Sequence, residues 1–214
     1  MEYKFKIVEI FNSIEGEGSF IGYPTTFIRL EGCNLRCEWC DTTYSYDNKS
    51  FKLLSLKDIL KEIKRYKTKK VCITGGEPFL TPNLPFLLIN LYKEGYYLII
   101  ETNGTIFNED LEIALREIYP KFYLVVSPKY EVKYIINKFL IKYINEFKFV
   151  VDKYISIEDI LKYRNLYKVR PLILQPESNK KIFIKKALDL QKELLEFDIE
   201  ARVIPQCQKF MGVK

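Results

Sequence analysis

Three cysteines stand within eight residues of one another: Cys33, Cys37 and Cys40. Thiols spaced this way are a metal-ligand arrangement. The chain has five cysteines, an odd number, so a disulfide framework does not fit. Histidine is absent. A structural zinc site wants four nitrogen or sulfur ligands, and only Cys72 or Cys207 could complete it. A four-cysteine iron–sulfur site meets the same shortage. Three thiolates on a four-iron cluster leave one iron open, able to bind a small chelating ligand and pass it an electron. This chemistry fits the spacing best. A zinc knuckle and three unrelated core cysteines are the competing readings. The missing histidine also removes Ser-His-Asp triads and Cys-His nucleophile pairs. Acid–base work falls to carboxylates, Lys, Tyr, Cys or the substrate.

The elements that must carry this loop are strands and helices in alternation. Residues 25–30 read as a strand running into the cysteines. Further strands are expected at 70–74, 96–101, 122–126, 147–151, 171–175 and 201–204. Helices are expected at 55–66, 84–94, 108–118, 156–164 and 180–197. Ser55 suits an N-cap, with Leu56, Ile59, Leu60 and Ile63 on one face. Gly95 suits a C′ position. Ser156 and Asp159 form a capping pattern. Ala187, Leu188, Leu190, Leu194 and Leu195 are expected to face inward. Alternation of this kind implies parallel pairing with right-handed crossovers. About six or seven strands are visible, short of the eight of a closed barrel. The fold class is therefore α/β: a partial (β/α) barrel, its curled, mostly parallel sheet open at the C-terminal ends of the strands. Ligand sites lie beyond those ends. Cys33, Gly75-Gly76-Glu77, Glu101-Thr102-Asn103-Gly104, Ser127-Pro128-Lys129 and Gln175-Pro176-Glu177 each follow a strand, so five segments converge on one mouth.

With 214 residues, a single domain spanning 1–214 is expected. Hydrophobic residues make up 48% and charged residues 29%, the balance of a soluble globular protein. No apolar run reaches the roughly 20 residues of a membrane span. The N-terminal stretch Met1-Glu2-Tyr3-Lys4-Phe5-Lys6 lacks the apolar core of a signal peptide, so a cytoplasmic location is expected. The net charge of +6 is spread and interleaved with acids, which argues against a nucleic-acid partner.

The run Cys33-Asn34-Leu35-Arg36-Cys37-Glu38-Trp39-Cys40 resembles the signature of radical S-adenosylmethionine enzymes, with Trp39 in the place of the aromatic beside the adenine. Gly75-Gly76-Glu77-Pro78 is similar to that family's GGEP segment, which binds the methionine amino group through backbone carbonyls and the Glu. Paired glycines permit close approach of backbone and ligand. Further segments resemble the 7-carboxy-7-deazaguanine synthase family. They are Phe11-Asn12-Ser13-Ile14-Glu15-Gly16-Glu17-Gly18, Phe27-Ile28-Arg29-Leu30-Glu31-Gly32 before the cysteines, and Cys40-Asp41-Thr42 after them. Arg202-Val203-Ile204-Pro205-Gln206 closes the set, and the likeness covers nearly the whole chain.

The resemblance implies a [4Fe-4S] cluster on Cys33, Cys37 and Cys40, with S-adenosylmethionine and Mg²⁺ as further cofactors. It implies conversion of 6-carboxy-tetrahydropterin to 7-carboxy-7-deazaguanine with loss of ammonia, on the way to queuosine or archaeosine. A 5′-deoxyadenosyl radical takes a hydrogen from C6 of the pterin and later receives it back. Thr42 matches the magnesium ligand, consistent with an ion that rarely has an all-protein cage. Trp39, Cys40, Asp41, Gly75, Gly76, Glu77, Glu101, Ser127, Pro128, Lys129 and Gln175 fall at cofactor positions. For Asp41, substrate contact and orientation of Thr42 both stay open; for Glu101, a ribose contact and a turn role do. Ile14, Glu15, Gly16, Arg29 and Thr74 fall at substrate positions, with Arg29 on the carboxylate and Glu15 and Gly16 on the pterin's amino and amide edge. The bland readings are an ordinary salt bridge for Arg29, a flexible loop for Glu15 and Gly16, and strand or capping roles for the others. An electron donor such as flavodoxin or ferredoxin, and a homodimer, are the implied partners. Many relatives carry His after Pro-Gln, where this chain has Cys207-Gln208; Cys207 is thus expected at the rim and off the cluster. Cys72 is expected to be a buried small hydrophobe. A glycyl-radical-activating enzyme, an electron-transfer iron–sulfur protein and a zinc-bearing nucleic-acid module are the alternatives.

Overall fold

The computed structural model describes residues 3–47 and 49–214, so the first two residues of the N-terminal stretch lie outside it. All seven expected strands are present, and two more join them. In chain order the strands are β1 (Lys4–Ile14), β2 (Pro24–Leu30), β3 (Lys52–Ser55), β4 (Lys70–Gly75), β5 (Tyr97–Thr102), β6 (Phe122–Val126), β7 (Glu146–Val151), β8 (Leu172–Pro176) and β9 (Ala201–Val203). The helices are α1 (Leu56–Tyr66), α2 (Leu84–Lys93), α3 (Glu109–Ile118), α4 (Ile157–Leu161), α5 (Lys181–Leu195) and α6 (Cys207–Met211). One sheet holds the strands in the order β3-β1-β2-β4-β5-β6-β7-β8-β9. From β2 onward the pairs along this order are parallel, whereas β1 runs antiparallel to both β2 and β3. Among the described residues β3 and β9 are not paired to each other, so the sheet stays open as a partial barrel.

Two unequal apolar layers follow from the period-2 alternation of the strands. On the outer face Ile28, Ile73, Ile100, Leu124, Phe149 and Leu174 pack against the helices in the main core. The inner face carries a smaller cluster of Phe27, Cys72, Ile99 and Val125, flanked by Phe11, Phe20, Tyr97 and Tyr123. Cys72 is thus the expected buried small side chain. In β1 the register shifts between Ile7 and Glu9. That bulge changes parity: Phe5 and Ile7 lie in the outer core before it, and Phe11 joins the inner cluster after it.

The helix ends follow local chemistry. Ser55 and Asp58 form a reciprocal capping box at α1, and Ser156 and Asp159 another at α4. Asn108 caps α3 by accepting from the Leu111 amide at 2.9 Å. Gly95 takes positive φ after α2, and its amide donates to Tyr92. Two expectations need correction. The helix expected to reach residue 164 stops at Leu161. Tyr163 is drawn instead to the β6–β7 loop, where its hydroxyl accepts from the Ile136 amide at 2.9 Å and donates to the Tyr134 carbonyl at 3.0 Å. On α5, Ala187, Leu190 and Leu194 are buried, but Leu188 and Leu195 are exposed. The latter two fall off the stripe that a 3.6-residue repeat turns toward the sheet.

Among the described residues no helix is long and apolar enough to cross a membrane. Phe149→Ala, at a fully buried outer-core position, is expected to cost about 3–5 kcal/mol. Leu195→Ala is expected to cost less than about 0.5 kcal/mol. Urea denaturation of both variants checks the assignment of layers.

Candidate active site

The inner apolar cluster forms a floor. Above it, toward the C-terminal ends of the strands, the same alternation turns Arg29, Thr74, Glu101, Ser127, Lys148 and Gln175 into one cavity. Arg29 and Thr74 are register partners across β2 and β4. The cysteine loop, the Glu15–Gly18 loop and the C-terminal segment around Gln206 close over this ring.

The cysteine loop hangs from the end of β2 and rests on the turn after β4. Gly75 adopts φ +145° beneath the Leu30 backbone, where a Cβ would overlap the Leu30 carbonyl. A Cβ on Gly76 would overlap the Gly32 carbonyl. This contact lets the Glu77 amide donate to that carbonyl at 2.7 Å. The paired glycines therefore seat the cysteine loop directly on the β4 turn. Glu77 itself is fully buried. Its Oε1 accepts from the Thr102 hydroxyl at 2.6 Å and the Phe79 amide at 3.0 Å, and its Oε2 from the Asn103 amide at 2.6 Å. Burial pushes this carboxyl up, against the pull of those donors.

Cys33, Cys37 and Cys40 are free, half-buried and line the cavity. Burial pushes the Cys37 thiol up to about 12. Among the described residues no three His, Cys, Asp or Glu side chains converge on a point that would hold one metal ion. A cluster receives each thiolate on a different iron and suits donors spread around a cavity wall. Three free thiols on the lining of one cavity supply the donor set that such a cluster takes.

Two cations organise the remaining walls. Lys148 is buried, and its ammonium sits 2.6 Å from Glu17 and 2.6 Å from Glu101. Glu101 also accepts from the Thr74 hydroxyl at 2.9 Å. Burial would raise the Glu17 carboxyl, but Lys148, Gln206 and Gln208 outweigh it and hold the group at about 2. Glu15 has no such cation in contact, and burial together with the Glu101 charge pushes its carboxyl well above the usual range. Across the cavity, Arg29 donates through Nε to Glu9 at 2.8 Å, and Glu9 also takes Tyr44 and Lys214. Among the described residues the Arg29 hydrogen bonds are confined to Nε, which leaves its terminal nitrogens for a ligand. Among the described residues, three acceptors on cavity-lining side chains are buried without any donor: Glu15 Oε2, Gln175 Oε1 and Gln208 Oε1.

Of the residues expected at the site, Ile14, Glu15, Gly16, Arg29, Cys33, Cys37, Trp39, Cys40, Asp41, Thr42, Thr74, Gly75, Gly76, Glu101, Ser127, Lys129 and Gln175 all line the cavity. Two do not. Pro128 is buried beside it, and the Glu77 carboxylate lies off the lining, accepting from the Thr102 hydroxyl and the Asn103 amide. Sequence reasoning missed Lys148 and Gln208, and left Glu17 and Gln206 as parts of motifs with no role assigned. A charge at an inward position of β7 marks Lys148; the glutamines come in through a distant segment that periodicity does not place at the mouth. Cys207 lies off the cavity lining, its amide donating to the Gly16 carbonyl at 3.0 Å.

Gly76→Ala is expected to push the cysteine loop off the β4 turn and lower the iron bound after reconstitution, as measured by iron analysis. Glu17→Gln is expected to cost about 3 kcal/mol near neutral pH by stripping one partner from a buried charge. Because the folded carboxyl sits at about 2, below its ordinary value of 4.5, its contribution is complete above pH 4.5 and fades as pH falls toward 2. The stability gap between Glu17→Gln and the native chain, read by denaturant titration, should accordingly shrink in acid.

Residues 27–127 match the Radical SAM superfamily. The chain is 43% identical over 210 residues to the 7-carboxy-7-deazaguanine synthase of Aquifex aeolicus, covering 96% of this chain and 93% of that protein. It is 38% identical to the 7-carboxy-7-deazaguanine synthase of Haemophilus influenzae, over 78% of this chain and 75% of that one. The crystal structure of QueE from Escherichia coli superposes with a TM-score of 0.74 at 28% identity, covering 95% of this chain and 94% of the other. With that architecture and those thiols at one mouth, the chain belongs to the 7-carboxy-7-deazaguanine synthase family of radical S-adenosylmethionine enzymes.

Proposed function

We propose that residues 1–214 act as one unit that contracts 6-carboxy-tetrahydropterin to 7-carboxy-7-deazaguanine at this mouth, toward queuosine or archaeosine. The observation that carries the reading is the meeting of three free thiols with three donorless buried acceptors in a single cavity. Buried acceptors want donors. A pterin is rich in N–H groups, and a methionine ammonium adds more.

The cluster, S-adenosylmethionine and Mg²⁺ supply, when bound, one-electron cleavage and a counter-charge for the substrate carboxylate. The chain's own residues bind and orient. Arg29 offers its terminal nitrogens to the carboxylate, in a geometry suited to a fork. Its aim is fixed by Glu9 on one side and by the rings of Phe11 and Tyr44, 5.7 and 5.9 Å from the guanidinium. Glu15 Oε2 takes the pterin's amino edge, with Ile14 and Gly16 beside it. Lys148 and Thr74 hold Glu101 on the opposite wall, so its carboxylate presents fixed oxygens to a ribose. Ser127 and Lys129, 2.7 Å apart, and Gln175 face the rest of the cofactor. Thr42 gives a hydroxyl to a hard ion, with Asp41 next to it. Flavodoxin or ferredoxin as donor, assembly as a homodimer through exposed side chains such as Phe86 and Ile113, and a cytoplasmic setting complete the proposal.

The test is run without oxygen. The reconstituted chain receives S-adenosylmethionine, reductant, Mg²⁺ and 6-carboxy-tetrahydropterin, and the products are read by mass spectrometry. 7-Carboxy-7-deazaguanine is expected with the native chain and not with Cys37→Ala. Formation of 5′-deoxyadenosine alone would refute the pterin assignment. Arg29→Met is expected to raise KM for the pterin about 10- to 100-fold, and Arg29→Lys to recover little of it.

A further inference from the structure

Trp39 sits in a loop without regular structure, yet it lines the cavity beside Cys40. The loop's other side-chain fastenings run from Asn34 to Thr105 and Asn103, and from Glu38 to Lys153 and Tyr154. The ring of Trp39 has a tie of its own. The Trp39 indole N–H donates to Asp152 Oδ2 at 2.7 Å. Asp152 follows β7 directly and is 3% exposed. Its other oxygen is held by the Tyr154 and Ile155 amides at 2.9 and 3.0 Å, so the carboxylate cannot swing. From α5, Lys186 clamps the Asp152 carbonyl at 2.7 Å. Asp152 itself does not line the cavity.

We propose that Asp152 is a positioning residue: it fixes the plane of the Trp39 indole, and through that ring it sets the affinity for the adenine nucleoside of the cofactor. The proposal rests on the reading above that places S-adenosylmethionine at this mouth. An indole N–H has one direction and needs an acceptor when buried, so a rigid carboxylate at that point selects one ring orientation. The ring in turn locates a cation, because the Lys129 ammonium lies 4.9 Å from the ring centroid. One hydrogen bond at the end of β7 thus orders two cavity walls that the cysteine loop alone would leave loose.

Trp39 is the only tryptophan of the chain, which gives the test its own probe. S-Adenosylmethionine is titrated calorimetrically into cluster-loaded protein with no reductant, so no turnover intervenes. Asp152→Asn retains an oxygen for the Tyr154 and Ile155 amides and turns an amide group toward the indole. It is expected to weaken binding about tenfold. Trp39→Phe is expected to weaken it similarly, and Asp152→Asn placed on Trp39→Phe to add less than about twofold. Trp39 emission should shift on binding in the native chain and start red-shifted in Asp152→Asn. An equal loss in both backgrounds would overturn the proposal and assign Asp152 to the Tyr154 turn alone. Binding that ignores Trp39→Phe would overturn it by removing the ring from the site. Absence of any binding to the loaded native chain would instead overturn the reading on which it rests. Should Asp152→Asn fail to load iron, Asp152→Glu, which keeps the charge and displaces the acceptor, reads the same cycle.

Discussion

A lysine ammonium withdrawn from water is tolerated only when carboxylates surround it. Lys148 meets that demand with Glu17 from the glycine loop and Glu101 from β5. The consequences spread outward. Glu101 takes Thr74 of β4, and Glu17 takes Gln206 and Gln208 from the C-terminal segment. Gln206 continues to Asp41 at 3.3 Å, behind the last cysteine of the loop. A single buried cation therefore links three strands and all three coverings of the mouth. The neighbouring Glu15 is left outside this neutralised set, which is why its carboxyl is shifted the opposite way from Glu17 although the two are separated by one glycine.

The cysteine loop is attached to this frame by backbone more than by side chains. Its first cysteine follows Gly32, whose carbonyl is pressed against Gly76. Glu77 then ties the same turn to Thr102 and Asn103 at the end of β5, and Asn103 reaches back to Asn34 in the loop at 3.0 Å. The loop, the β4 turn and the β5 turn form a closed circuit, so the three thiols are held by geometry that no one of these segments possesses alone.

Much of this was legible in the residues. The seven parallel strands are short apolar runs ending in polar or glycine-bearing turns, and periodicity finds such runs well. β1 escaped because its bulge switches the inward positions from one parity to the other within eleven residues, which erases the alternation. β3 is four residues long, with two of them exposed, too brief to carry a pattern. The site was read through its glycines and cysteines, whose types announce their use. Lys148 lay unread between Phe147 and Phe149, in a run that looks like an ordinary strand until its inward face is known. Gln206 and Gln208 reach the cavity only through the path of the whole chain. Glu77 shows the converse limit: a motif marks where a residue sits, and the hydrogen bonds decide which way its charge faces.

Cys72 lies in the floor beneath the cavity, fully buried among Phe27, Ile99 and Val125, where burial pushes its thiol well above the ordinary range. Among the described residues Cys72 has no place on the cavity lining, whereas Cys33, Cys37 and Cys40 stand on it. The layering that builds the sheet thus also partitions its sulfur: the floor that supports the cavity keeps Cys72 apart from the three thiols of the mouth.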